Sequence, residues 1–182
     1  IARRVSPRIV VPVALMFSIV AYLLVPGAVG DGALVLLVAA FTLLGIGIGA
    51  AETVSNDLIL SSAPPEKAGA ASAVSETAYE VGAVLGTAVL GGILTAVYRT
   101  GIVLPSGITG TAADAARETL AGAIRVADTL DAATGDALRL AAAHAFDAGV
   151  TITALIGAAL VSIAAIIAAT TLKGSRTAPV EH

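Results

Sequence analysis

Residues 70–98 read AASAVSETAYEVGAVLGTAVLGGILTAVY, from Ala70 to Tyr98. The run holds two charges, Glu76 and Glu80, no proline, and no alternation of polar with apolar positions. A half-wet strand would alternate with a period of two. A bilayer core ~30 Å thick takes ~20 mainly apolar residues in a helix. Only helices and closed barrels satisfy every backbone group in lipid. The run is therefore predicted to be a membrane-spanning helix with acids inside it.

On either side lie three further runs of the same kind. One extends from about Ile9 to Val25 and stops at Pro26-Gly27. The next covers about Ala33 to Leu60, ahead of Pro64-Pro65, and the last about Ala148 to Leu172. The predicted fold class is an all-α membrane protein with four transmembrane helices. Composition agrees: of 182 residues, 57% are hydrophobic and 13% charged, where soluble domains carry about 25% charge. The mean hydropathy is +0.96. Such a chain has too little polar surface to be a soluble monomer. A net charge of −3 and the lack of Cys exclude a nucleic-acid binder and a disulfide-stapled domain. The first apolar run is too long for a signal peptide and lacks a cleavage pattern. The opening residue is Ile1 rather than Met, so the expectation is a piece of a longer product.

Basic residues orient the spans, because cytoplasmic loops carry the excess of Lys and Arg. Arg3, Arg4, Arg8, Lys67, Lys173 and Arg176 fall on one side, six of the ten. Arg99, Arg117, Arg125 and Arg139 fall in the long connection on the other, where charges weigh less. Both ends are thus expected in the cytoplasm of a multi-pass plasma-membrane protein. The connection, 99–147, is the one sizeable polar region. Thr111 or Asp114 is read as a helix cap within it, and Ala137 to Phe146 as a second short amphipathic helix. Together they suggest an interfacial hairpin on the membrane surface.

The informative residues are the acids at depth: Glu52, Asp57, Glu76 and Glu80. A carboxylate in the bilayer costs at least ~2.5 kcal/mol on insertion scales, so it normally faces a bundle interior or a wet cavity. Glu76 and Glu80 are four apart and share one helix face, which Ala83 and Thr87 continue. Ser75, Tyr79, Gly82 and Gly86 form a neighbouring ridge, with Gly82-x-x-x-Gly86 as a small-residue packing pattern. Gly45, Gly47 and Gly49 offer the second span a similar close approach. No Lys or Arg lies at matching depth, a condition that favours partial protonation and hence proton coupling. The competing reading has the acids in structural hydrogen bonds of a non-transporting four-helix assembly. No phosphate loop, His-Glu-x-x-His, nucleophile elbow or genuine dinucleotide fingerprint is present, so neither an enzyme nor a cofactor is expected.

Several strings carry a family likeness. Gly45-Ile-Gly-Ile-Gly, Asp57-Leu-Ile-Leu and Ala63-Pro-Pro-Glu-Lys-Ala-Gly-Ala-Ala-Ser are three of them. Ser75-Glu-Thr-Ala-Tyr-Glu-Val-Gly-Ala-Val-Leu-Gly-Thr-Ala-Val-Leu-Gly is the most specific, and Ala145-Phe-Asp-Ala-Gly closes the long loop. Together they resemble the late segment of major facilitator superfamily drug exporters, in the fourteen-helix drug:proton antiporter branch. The resemblance implies that the four spans are helices eleven to fourteen of a transporter whose remaining N-terminal helices complete the cavity. It implies roles in proton coupling or cation binding for Glu76, Glu80 and Asp57. Glu52 departs from the small or apolar residue expected there, which makes it either a specificity feature or an idiosyncrasy of this chain, and it is assigned an auxiliary role. Ala2-Arg-Arg-Val-Ser-Pro-Arg8 resembles the basic end of a cytoplasmic gating motif, carried by Arg3, Arg4 and Arg8. The implied activity is proton-coupled efflux of hydrophobic, cationic small molecules, with protons, substrate and the lipid bilayer as partners.

Overall fold

The computed structural model describes residues 7–28 and 33–172. Among them every regular element is helical. Helix α1 is Pro7–Leu24 and leads into a 3-10 turn, Val25–Ala28. Helix α2 is Ala33–Ser62, followed by a 3-10 turn at Pro65–Lys67 and helix α3, Ala68–Gly101. Two short helices, α4 (Gly110–Glu118) and α5 (Leu120–Ala127), precede α6, Ala132–Thr171. The four long helices α1, α2, α3 and α6 are long and apolar enough to cross a membrane. Their hydroxyls are largely satisfied within the helix: Thr42, Thr53, Thr77 and Ser162 each donate to the carbonyl four residues back, at 2.7–2.8 Å. This is how polar side chains tolerate an apolar surround.

At ~1.5 Å per residue, the 34 residues of α3 reach about 51 Å and the 40 of α6 about 60 Å. Both exceed a bilayer core of ~30 Å, so part of each helix serves another purpose. The chain divides into two compact units, one being Val84–Ala154 and the other the residues on either side of it.

In the flanking unit, α1 buries Val11, Ala14, Ser18 and Ala21, a stripe at spacings of three and four. Small residues on that stripe let α2 approach closely. The contact falls on Gly47, which is buried. A methyl group there would collide with the Ser18 hydroxyl and lie 2.6 Å from the Ala14 carbonyl oxygen. Against α6, the Tyr22 ring lies over Gly157, where an added Cβ would meet ring carbons at 2.9–3.1 Å.

In Val84–Ala154 the polar connection folds on a core of its own. Tyr98, Ile102, Ile108, Ala116, Ala123 and Leu138 are buried together, with Ala142 and Ala145 closing the cluster. The Tyr98 hydroxyl donates to the Ala116 carbonyl at 2.8 Å, tying the end of α3 to α4. Gly107 (φ 96°) and Gly110 (φ 60°) adopt left-handed backbone that lets the chain double back between them. Arg139 bridges Asp128 at 2.6 Å and Asp136 at 2.9 Å. At Gly149 a Cβ would stand 3.1 Å from the Leu94 carbonyl oxygen, so α3 and α6 touch closely here.

This arrangement differs from the hairpin suggested by the sequence. Residues 137–146 are not a separate helix but the early turns of α6, whose apolar positions Leu138, Ala142 and Ala145 face the core. The capping residues also differ. Thr109 precedes α4, and Thr119 caps α5 by accepting from the Gly122 amide at 3.0 Å, whereas Thr111 and Asp114 lie within α4. Alanines at 113 and 116 draw the start of α4 back so that they can be buried.

Asp131 caps α6. Its carboxylate accepts from the Thr134 amide at 3.1 Å, and that bond holds its pKa below the usual carboxylate range. A lowered folded-state pKa gives stability that is fully present above the unfolded value, about 3.9, and lost as pH falls through the folded one. Below about pH 4, therefore, the Thr134 amide of the unaltered protein is expected to lose protection relative to its intrinsic exchange rate. Asp131→Ala should exchange there rapidly even at neutral pH, as hydrogen–deuterium exchange would show.

Candidate functional site

The second half of α2 and the first half of α3 carry the four acids. Glu52 and Asp57 are on α2; Glu76 and Glu80 are on α3, one turn apart. All four are exposed among the described residues. Both ion pairs among the described residues belong to Arg139, so none of the four acids has a basic partner. No grouping of three or more metal-ligating side chains forms among the described residues.

Tyr79 lies between Glu76 and Glu80 on α3, and its ring is 39% exposed. It offers an aromatic ring and a hydroxyl beside the two carboxylates of its own helix. One turn before it, Ser75 is buried with its hydroxyl unpartnered. The spacing of these residues along α3 is legible in the sequence.

The glycines divide differently. Gly45, Gly49, Gly82 and Gly86 have nothing within 4 Å of the position a Cβ would take. The close approach falls on Gly47 and, on α6, on Gly149 and Gly157. The sequence signal for Gly47 was its place in the Gly45–Gly49 run, with Ala14 and Ser18 as small residues one turn apart on α1. Arg8 lies in the first turn of α1, half-buried. Arg3 and Arg4 lie outside the described residues.

The multidrug efflux pump LfrA of Mycolicibacterium smegmatis is 45% identical to this chain over 164 residues, 90% of the chain. Over that stretch the chain is similar to drug exporters of the major facilitator superfamily. Other exporters of the group resemble it over shorter stretches. The methyl viologen resistance protein SmvA of Salmonella typhimurium is 38% identical over 104 residues, 57% of the chain. The tetracenomycin C resistance and export protein of Streptomyces glaucescens is 43% identical over 65 residues, 36% of the chain. The matches cover 32%, 21% and 12% of those exporters, so the chain spans at most about a third of their length. No family model matches the chain, and no solved structure matches it. The exporters it resembles are transporters rather than enzymes, and with its four long apolar helices the chain is a multi-pass membrane protein.

Proposed function

We propose that this chain forms one wall of a proton-coupled efflux transporter for hydrophobic, cationic small molecules. The observation that carries the reading is the set of acids on α2 and α3: Glu52, Asp57, Glu76 and Glu80, exposed and without basic partners among the described residues, with Tyr79 between the last two along α3. Carboxylates in a low-dielectric cavity attract either a proton or an organic cation, and binding one disfavours the other. That competition is the minimal requirement for exchange. The relatives support efflux, and methyl viologen, for which one of them is named, is an organic dication.

In this reading Glu76 and Glu80 are the exchanging acids, with Asp57 and Glu52 auxiliary. Gly45, Gly49, Gly82 and Gly86 receive the remaining helices of the transporter, which close the cavity and rock about it. Arg3, Arg4 and Arg8 belong to a cytoplasmic gating motif. Both ends of the segment are cytoplasmic, and the polar module around α4 and α5 lies on the outer side.

Exchange has a direct readout. Adding methyl viologen to the complete purified transporter in weakly buffered detergent should release protons, and its affinity should rise as pH rises. Proton release absent across the pH range where cation binding is seen would overturn the coupling.

A further inference from the structure

A second place in the molecule has cation-binding chemistry, and none of the acids of α2 and α3 lines it. Within Val84–Ala154, a cavity of about 220 Å³ opens where the end of α3 meets the α4–α5 junction and α6. Its walls are Leu94, Thr95 and Tyr98 of α3, Glu118 and Leu120 at the junction, and Phe146 of α6. The volume equals that of about seven water molecules at ~30 Å³ each, which suits a single-ring organic molecule rather than a multi-ring drug.

The polar groups of the wall are already engaged, with one exception. The Thr95 hydroxyl donates to the Gly91 carbonyl at 2.9 Å, and the Tyr98 hydroxyl to the Ala116 carbonyl at 2.8 Å. Thr119, which also borders the cavity, accepts from the Gly122 amide at 3.0 Å. Glu118 carries the one charge of the wall: among the described residues it has neither an ion pair nor a side-chain hydrogen bond, and no Lys or Arg lines the space. Two aromatic rings, two leucines and one free carboxylate remain to meet a ligand. An anion is repelled by that set, and a neutral molecule gains nothing from the carboxylate's charge. A cation with an apolar body is matched in both parts, by the carboxylate for its charge and by the leucines and the half-buried Phe146 for its body.

We propose that this cavity is a binding site for a small aromatic or quaternary organic cation, with Glu118 as counter-charge and Phe146 as the aromatic wall. Its chemistry is argued from the cavity itself; its role as a second station for transported cations rests on the efflux reading. Thus the two sites serve the same class of molecule with different residues.

The test uses the complete transporter in lipid nanodiscs and benzyltrimethylammonium as the probe, with binding measured by titration calorimetry. The background carries Glu76→Gln and Glu80→Gln, so that the acids of α3 do not contribute. In that background the probe should bind, more weakly as salt rises. Adding Glu118→Gln should lower its affinity about tenfold, and Phe146→Leu about fivefold. Glu118 is exposed, so its replacement leaves the core of the module intact. Glu118→Asp should retain most of the binding, and the uncharged isostere neopentylbenzene should not distinguish Glu118 from Gln. The proposal is overturned if the probe fails to bind in the background protein, or binds equally well with Glu118→Gln and Phe146→Leu. Neither result touches the efflux reading, which fails separately if the background variant itself still pumps at the full rate.

Discussion

Replacing Glu80 or Glu76 with Gln in the complete transporter is expected to cut proton-driven efflux of a cationic substrate by at least about tenfold in inverted membrane vesicles. Tenfold corresponds to about 1.4 kcal/mol. Two unit charges ~4 Å apart at an effective dielectric of ~20 interact by about 4 kcal/mol, so the loss of one carboxylate is ample to produce it. Gln keeps the length and shape of the side chain while removing both the charge and the titratable proton. Because both acids are exposed from their own chain, neither replacement strips packing from this segment. Protein levels and thermal stability should therefore stay at those of the unaltered protein while transport falls. Glu80→Asp keeps the charge and should recover part of the rate. Glu66→Gln, in the turn before α3, serves as a control and should have no effect. Efflux and pH dependence unchanged in both variants would sink the assignment of these two acids.

The second large effect is structural and falls on Gly47. Gly47→Val is expected to separate α1 from α2. The added branch would enter space held by the Ser18 hydroxyl and by backbone atoms, the Ala14 oxygen at 2.6 Å and the Ser18 nitrogen at 3.0 Å from the Cβ alone. A flexible side-chain tip could swing away, but helix backbone moves only if the whole helix moves. Overpacking of this kind costs about 1–3 kcal/mol even where side chains can adjust, so the upper end or beyond is expected. Ser18→Gly should rescue Gly47→Val only in part, since it removes the hydroxyl but not the carbonyl. By contrast, Gly45→Ala and Gly49→Ala face open space within this chain. In the isolated chain they should be neutral, or stabilising by up to about 1 kcal/mol through helix propensity. Thermal denaturation in detergent ranks the set. Equal melting temperatures for Gly47→Val and Gly45→Ala would contradict the crossing.

The contrast among these glycines shows where reading along the chain stops. Gly45, Gly47 and Gly49 look alike in sequence, since alternate positions in a helix fall on different faces and any of them could meet a neighbour. Which one does so depends on the rotation of α2 against the Ala14–Ser18 stripe, a property of two surfaces at once. The module between α3 and α6 makes the point most fully. Its alanines at 113, 116, 123 and 142 carry a weak amphipathic signal, because a small side chain is compatible with an interface, a surface or a core. Only when Tyr98 and Leu138 are placed among them does the segment become a core with a cavity at its edge.

The sequence by itself determined that the chain is helical and membrane-embedded, which runs are apolar enough to span, and that acids interrupt two of them. Those are sums over neighbouring residues, and hydropathy and helical period are local and nearly additive. Only the packing of separate helices shows which glycine is a contact, that a buried core forms around Tyr98 and Leu138, and that Glu118 borders the same cavity as Tyr98 and Phe146. Those depend on the rotation, depth and length of helices relative to one another, and such quantities exist only once separate segments meet.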